Sequence, residues 1–565
     1  MKTVLRLVLA LGLLVGSLLL ASCGRSAATA RLSLSPTAAN ATTTVAPVKP
    51  SITAPSTSSP TFAPSPTPAR AEPQRTLRVL STQPATTLNP ITALSGAVYL
   101  ANIYETLVRA NPPGAKKPLA PMLAERWEHS ADGKIWTFYL RRGVTFHDGE
   151  PLSAEAARLA LLAARRYGRS NFLWRVVDKI EAVDDLTLRF RLHTPADLPR
   201  LLAAPYGAYI VSPKALQAWQ KDAFYFDEGH DGGTGPYTVA EYKAGESLTL
   251  KAYKPYRRGW TADQAKEVII TLTDRPEEWR QLISQGKVDA AMPFFAAERA
   301  FSPPKGYSTV AADSFIQMLV FFNTKHKPLD DARIRRALAL ATPSGQGGSL
   351  GEWVHPVRSP LPPGLWPYSD AVQALPYDPQ QAKTMLTDLN AEGLRLTMTY
   401  NSESAMQAAV AKAIQKAYAA AGIELALRPM PWREQWENAR AFPDDPKTQD
   451  LFLMEYAPLY PDGRDVLHTL FGSSGRYFLN LSYWESDAFD RLLAEADARA
   501  ATSPSEAEAF YAEAMNLLAK EAPAVFLFTE RQPFVLSERV HGFAYNPYYP
   551  DVPFWFAQLT LSKGR

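Results

Sequence analysis

Residues 394–428 read LRLTMTYNSESAMQAAVAKAIQKAYAAAGIELALR, and three periodicities follow one another in them. Leu394, Leu396, Met398 and Tyr400 alternate with Arg395, Thr397 and Thr399, the two-residue period of a half-buried strand. Met406, Val410, Ile414, Ala417 and Ala421 then recur at helical spacing, and Gly422 supplies a stop signal. Ile423, Leu425 and Leu427 return to strand alternation. Strand, helix and strand joined this way predict a right-handed parallel crossover unit, and so an α/β fold.

The same alternation of periods runs outward from Thr76 to the end of the chain, without internal repeats. Ser503-Pro504-Ser505-Glu506 reads as a capping box with proline at the first helical position. The amphipathic helix it opens would bury Phe510, Ala514, Leu517 and Leu518. Only short loops such as Pro343 to Gly351 interrupt the body, which predicts interleaved domains. A length of 565 residues suits two or three of them, with room for a large core.

Charge is unevenly placed. The chain carries +4 overall with a pI near 8.8. Lys2, Arg6, Arg25, Arg31, Lys49, Arg70 and Arg75 face only Glu72 in the first 75 residues, a net of +6. The remaining 490 residues therefore carry about −2, with no basic footprint for nucleic acid. Lys2 and Arg6 precede the apolar run Val8 to Leu20, which reads as a signal peptide over residues 1–22. The run ends Leu20-Ala21-Ser22-Cys23, which resembles a bacterial lipobox, and Cys23 is the chain's one cysteine. Lipidation there would hold the protein on a membrane without a spanning helix. Residues 23–75 are rich in Ala, Ser, Thr and Pro, too poor in apolar surface to offset their ordering entropy. Fully extended at about 3.1 Å per residue, such a linker would reach on the order of 150 Å.

Catalytic patterns are sparse. Gly347-Gly348-Ser349-Leu350-Gly351 has the spacing of a hydrolase nucleophile elbow. Thr342-Pro343-Ser344-Gly345 before it and Glu352-Trp353-Val354-His355-Pro356 after it do not supply the strand and helix an elbow needs. The eight histidines never pair at the spacing of two metal ligands on one helix face, and no phosphate-binding glycine loop occurs. No cofactor and no resident metal are expected. Aromatics are abundant, with 12 Trp, 24 Tyr and 25 Phe, and many stand in polar or proline-bearing loops. Trp366-Pro367-Tyr368, Trp432, Trp436, Tyr456, Tyr460, Tyr483-Trp484 and Tyr545 to Tyr549 are candidates either for core packing or for the wall of a binding cleft.

Several blocks in order resemble the family 5 extracellular solute-binding proteins, the peptide, dipeptide and nickel receptors of ABC importers. They are Leu88-Asn89-Pro90, Ile103-Tyr104-Glu105-Thr106-Leu107, Pro121 to Trp127, Asp132 to Phe138 and Leu140 to Leu152 with Phe146-His147-Asp148-Gly149. Gly233-Thr234-Gly235-Pro236-Tyr237, Phe322-Asn323-Thr324, Pro328 to Ala337 and Tyr377-Asp378-Pro379 follow. Read as residues alone, His147-Asp148-Gly149 is a tight turn, Gly235-Pro236 a turn entering a strand and Asp331 a helix N-cap. These blocks mark a scaffold rather than ligand contacts.

The resemblance implies an α/β, two-lobed periplasmic-binding-protein-like fold with a discontinuous first lobe. Lobe I would comprise 76–322 and 530–565, with an extra small subdomain at about 118–205, and lobe II 323–529. It implies a monomer without enzymatic activity that closes on an oligopeptide or metal chelate and delivers it to a membrane permease. The apolar strand Leu451-Phe452-Leu453-Met454 leads into the loop Glu455 to Arg464. In the peptide-binding members this loop carries an aspartate that pairs with the ligand's α-ammonium, and here Leu459 or Pro458 stands at that place. Tyr456 and Tyr460 are then expected as stacking walls, with Glu455 or Asp462 as the polar anchor and Trp432 and Tyr104 as further ligand contacts. Two other readings stay open, a ligand-binding sensor and a surface hydrolase using Ser349.

Overall fold

Ser404 opens the helix Ala405–Ala420 by accepting the Gln407 N–H on its hydroxyl at 3.2 Å, and the chain turns out of it where Gly422 takes φ +82°. In this computed structural model, which describes residues 75–82, 86–292, 301–344, 348–372, 375–441, 448–473 and 479–562, the flanking strands Arg395–Asn401 and Glu424–Met430 pair in parallel, Arg395 opposite Glu424. The expected signal peptide, Cys23 and all of the linker but Arg75 lie outside the described residues.

The helix buries Met406, Val410 and Ile414 as expected, together with Gln407, Ala411 and Tyr418, while Ala417 is only half buried. Tyr418 is fully buried because its hydroxyl meets Thr342 Oγ1 at 3.0 Å and donates to the Leu338 carbonyl. A phenol with a partner loses the penalty that keeps polar tips outside. The strand Arg395–Asn401 alternates only in its first half. Thr399, Tyr400 and Asn401 are all buried, since Leu451–Tyr456 pairs alongside and Gln435 donates to both Thr399 Oγ1 and the Leu453 carbonyl.

Among the described residues the main sheet has eleven strands. It runs from Glu424–Met430 through Arg395–Asn401 and Leu451–Tyr456 to two long central strands, Tyr307–Phe322 and Ala524–Ser537. Beyond them lie Ala290–Met292, Thr76–Ser81, Glu267–Leu272, Ser247–Ala252 and Tyr237–Lys243, and the short Val354–Pro356 also pairs with Ala524–Ser537. The two central strands are antiparallel and break register between Asp313 and Gln317, where the opposite strand advances only from Arg531 to Thr529. Ser314 fills this bulge by donating to the Glu530 carbonyl at 2.7 Å.

A second, separate sheet of four antiparallel strands comprises Ala124–His129, Ile135–Leu140, Thr187–Leu192 and Val177–Ala182. The helix Ala154–Tyr167 accompanies it, capped by Ser153 through the Ala156 N–H.

The Phe146-His147-Asp148-Gly149 block is a turn that also works as a clasp. Gly149 has φ +88° and Asp148 accepts the Glu150 N–H. His147 is clamped through both ring nitrogens, Nδ1 on Asp231 at 2.5 Å and Nε2 on the Gly235 carbonyl at 2.9 Å. Its N–H donates to the Gly233 carbonyl. Asp331 does cap the helix Ala332–Ala341, accepting the Arg333 N–H.

The capping box at Ser503 does not form. The helix Pro504–Glu521 starts there, but no side chain caps it, and Glu506 turns instead toward Arg499 at 3.6 Å. Proline at the first position already removes one of the N–H groups a cap would serve. Its buried face is Ala507, Tyr511, Ala514, Met515 and Leu518, with Phe510 and Leu517 half buried at its margin.

Candidate functional site

The strand Leu451–Tyr456 delivers the loop on which the sequence places most of the expected ligand contacts. Tyr456 ends the strand and donates its hydroxyl to Asp465 Oδ2 at 2.6 Å. The Leu459 N–H and the Thr469 hydroxyl also donate to Asp465, so the loop is folded around one buried carboxylate. Burial pushes the Asp465 carboxyl up to about 6, against the pull of these donors.

Asp462 is fully buried and bound to its neighbour Arg464, which reaches Oδ2 through Nε and Nη2, each at 2.7 Å. Tyr460 is buried with its ring 6.4 Å from Phe172. Glu455, half buried, accepts from Ser404 and Gln407 at the start of the helix Ala405–Ala420. Trp432 stands edge-on to Phe452, and Tyr104 is buried beside Tyr209. Tyr456, Tyr460 and Asp462 thus converge around Asp465 and Arg464, whereas Glu455, Trp432 and Tyr104 each pack on other partners. The Gly348–Trp353 stretch that holds Ser349 is a short 3-10 turn running into the strand Val354–Pro356, so no helix follows it as an elbow requires.

Arg200 connects this loop to a cavity of about 530 Å³. Its Nε lies 2.9 Å from Asp197 and 3.9 Å from Asp462, and its guanidinium stacks 4.6 Å over the Trp366 ring. Trp366 is fixed in turn by donating Nε1 to Glu508 at 2.7 Å and by standing edge-on to Tyr511. Across the cavity, Trp127, His129 and Trp136 come from the four-stranded sheet, and Trp136 is held by a bond from Nε1 to the Ala196 carbonyl. Tyr548 joins the wall with its hydroxyl on the Gly364 carbonyl.

The volume lies in the range of small-molecule sites. Arg200 is neutralised by Asp197, and Glu508 accepts from an indole. What faces the space is aromatic surface whose charges are already engaged, suited to stacking on a ligand's flat or apolar faces. Trp366 and Tyr548 belong to aromatic clusters that the sequence singles out. Trp127, Trp136 and Arg200 were not singled out as site residues, because strand alternation assigns both indoles to ordinary sheet faces and nothing local distinguishes Arg200.

Beside the main sheet, the four-stranded sheet, the Trp366 loop and the start of the helix Pro504–Glu521 enclose an aromatic-walled cavity of the size that suits a small solute. The family model described as Bacterial extracellular solute-binding proteins, family 5 Middle matches residues 118–478, well over half of the chain. The chain belongs to family 5 of the bacterial extracellular solute-binding proteins. It is 26% identical over 470 residues to the probable D,D-dipeptide-binding periplasmic protein DdpA of Escherichia coli strain K12, covering 81% of this chain and 88% of that one. Among solved structures, the periplasmic binding protein DppA of Helicobacter pylori, in complex with the peptide STSA, superposes with a TM-score of 0.70 at 22% identity, over 86% of this chain and 98% of that one. NikZ of Campylobacter jejuni, in complex with Ni(L-His), gives 0.70 at 18% identity, over 86% and 100%. The fold is accordingly the α/β, two-lobed periplasmic-binding-protein-like one.

Proposed function

We propose that this chain is the substrate-binding lipoprotein of an ABC importer, anchored through Cys23, that captures a small solute between two lobes and hands it to a membrane permease. The observation that carries the reading is the aromatic cavity, whose walls join Trp127, Trp136, Arg200 and Tyr548 to Trp366, Pro504 and Glu508, residues on either side of the proposed lobe boundaries. Lobe I corresponds to 76–322 and 530–565, with the small subdomain at about 118–205 around the four-stranded sheet, and lobe II to 323–529. The chain passes between these segments along the two central strands, and the bulge at Ser314 opposite Glu530 is where those strands can bend.

The solute is an oligopeptide or a metal chelate, and the loop favours one without a free α-ammonium at its usual place. Leu459 or Pro458 stands where the peptide-binding members carry the ammonium-pairing aspartate, and both are without charge, Leu459 being 37% exposed. Asp462 is engaged by Arg464 and Glu455 by Ser404 and Gln407, so neither carboxylate is idle. An ammonium buried against Leu459 or Pro458 would lack a counter-charge and carry a large desolvation cost. Aromatic walls support stacking as the main source of affinity.

Mass spectrometry of the solute that copurifies with the chain, followed by calorimetry of that solute against the Trp366→Ala variant, tests this. The expected result is a small bound solute whose affinity falls roughly tenfold or more when the indole is removed. Unchanged affinity removes the cavity from the site. Turnover of ester or peptide substrates that is lost in Ser349→Ala would replace binding with hydrolysis as the function.

A further inference from the structure

A second cavity, of about 210 Å³, shares no wall residue with the larger one. Its wall carries Glu105, Arg109, Arg258, Asn102, Gln264 and Trp555. Most of these polar groups are already committed. Glu105, 3% exposed, takes the Arg257 guanidinium at 2.6 Å and the hydroxyls of Tyr256 and Thr234. Asn102 donates to the Val98 and Phe554 carbonyls and accepts the Phe556 N–H. Gln264 accepts the Thr261 N–H and donates to the Ala557 carbonyl.

The two arginines are not committed in this way. Among the described residues neither Arg109 nor Arg258 forms an ion pair. Arg109 Nε is buried without a hydrogen-bond partner, and the guanidinium lies 4.6 Å over the Trp555 ring. Arg258 reaches only the Met122 sulfur, 3.6 Å from Nη2. Burial holds the Arg109 guanidinium below its ordinary range, with the neighbouring Arg258 charge pulling it the same way and Tyr549, Tyr256 and Glu105 pulling against them. The buried Arg109 N–H without an acceptor carries a desolvation cost, and the exposed Arg258 guanidinium adds a second, screened cation on the same cavity wall. An anion between them supplies the missing acceptor and pairs with both charges. The indole beneath Arg109 restricts the guanidinium plane and leaves its N–H edge for a planar, forked contact.

We infer that this cavity is an anion site, in which a small phosphate-like oxyanion bridges Arg109 and Arg258 apart from the solute cleft. At about 30 Å³ per water the space holds roughly seven waters, enough for such an ion with a few of them and below the usual volume for a larger organic ligand. The oxyanion is a free ion or the phosphate of a lipid headgroup, and the two sources are separable.

The test is calorimetry and thermal unfolding of the full-length chain in neutral detergent with sodium phosphate, against sodium chloride at matched ionic strength. Saturable binding and stabilisation by phosphate alone are expected. Arg258→Gln, at an exposed position, should keep the unfolding midpoint measured without phosphate while phosphate affinity falls roughly tenfold or more. Arg109→Lys keeps the charge but loses the forked edge, and should weaken binding comparably. Phosphate acting no differently from chloride, or unchanged affinity in Arg258→Gln, overturns the site. Tighter binding of soluble dihexanoyl-phosphatidylglycerol than of phosphate assigns the headgroup, and the reverse order assigns the free ion.

Discussion

Asp465 carries much of the cost of the loop that follows Leu451–Tyr456. Its carboxyl sits at about 6, raised by burial, and three donors hold it in place. A carboxylate raised in the folded state contributes stability that is complete below its unfolded value and is lost as pH rises through the folded one. Between pH about 4 and about 6 the folded chain should therefore lose about 3 kcal/mol at this residue, from a shift of about two units. Denaturant unfolding across that window, compared with Asp465→Asn, checks it. The difference between the two proteins should fall with rising pH, and parallel profiles would remove Asp465 as the source. Asp462 and Arg464 make the opposite case, a charge pair that neutralises itself. Arg464→Met leaves Asp462 buried with Arg200 only at 3.9 Å, and should cost about 3 kcal/mol of stability by the same unfolding measurement. Composition and spacing show that this loop is special, since it joins an apolar strand to a run of tyrosines, prolines and acids. They do not show that the acids are spoken for: Asp462 meets its partner two residues on, and Asp465 lies just past the loop considered.

At the scale of elements, regular pieces follow their periodicity and irregular ones follow contacts from far along the chain. The strand, helix and strand of residues 395–430 were legible because each repeats one local pattern, and so was the Asp331 cap, which needs only its own helix. Ser503 was misread because a capping motif competes with the proline beside it and with Arg499, which draws Glu506 away. The role of His147 in joining its own turn to residues 231–235 depends on partners over 80 positions away, so spacing in the sequence could not reveal it. That clasp admits a sharp test. A Cβ on Gly233 would lie 2.0 Å from the Ile103 carbonyl oxygen, a backbone atom that cannot swing aside. Gly233→Ala should thus lower stability by about 3 kcal/mol or more. Gly245, with φ +74° and open space around its Cβ position, is the control, and its alanine variant should cost only about 1 kcal/mol. Equal shifts in unfolding midpoint would mean that close packing at Gly233 contributes nothing beyond backbone conformation.

For the molecule as a whole, the architecture was legible from its blocks, while the cavity was not, because its wall joins Trp127 and Trp136 to Trp366 and Tyr548 from distant parts of the chain. The expected tether lies in sequence alone and predicts a simple result: Cys23→Ser should abolish incorporation of labelled fatty acid and release the chain from membranes. Closure is tested through Arg200. Its guanidinium reaches Asp462 and Trp366 from the lobe I side, as we propose the lobes, while Asp462 keeps Arg464 as its own partner. Removing Arg200 should take away the partner of Asp197 at some cost in stability and, separately, weaken the approach of the lobes. A partly buried charge contact of this kind is worth about 1.4 kcal/mol, which lowers the closed population and the apparent solute affinity roughly tenfold. In Arg200→Ala, small-angle scattering should need correspondingly more of the copurifying solute to reach the compact form, whereas Asp197→Ala, which removes the other half of the ion pair, should lower the unfolding midpoint without that shift. Affinity and scattering both identical to the parent chain would show that Arg200 braces the cavity wall without holding the lobes together.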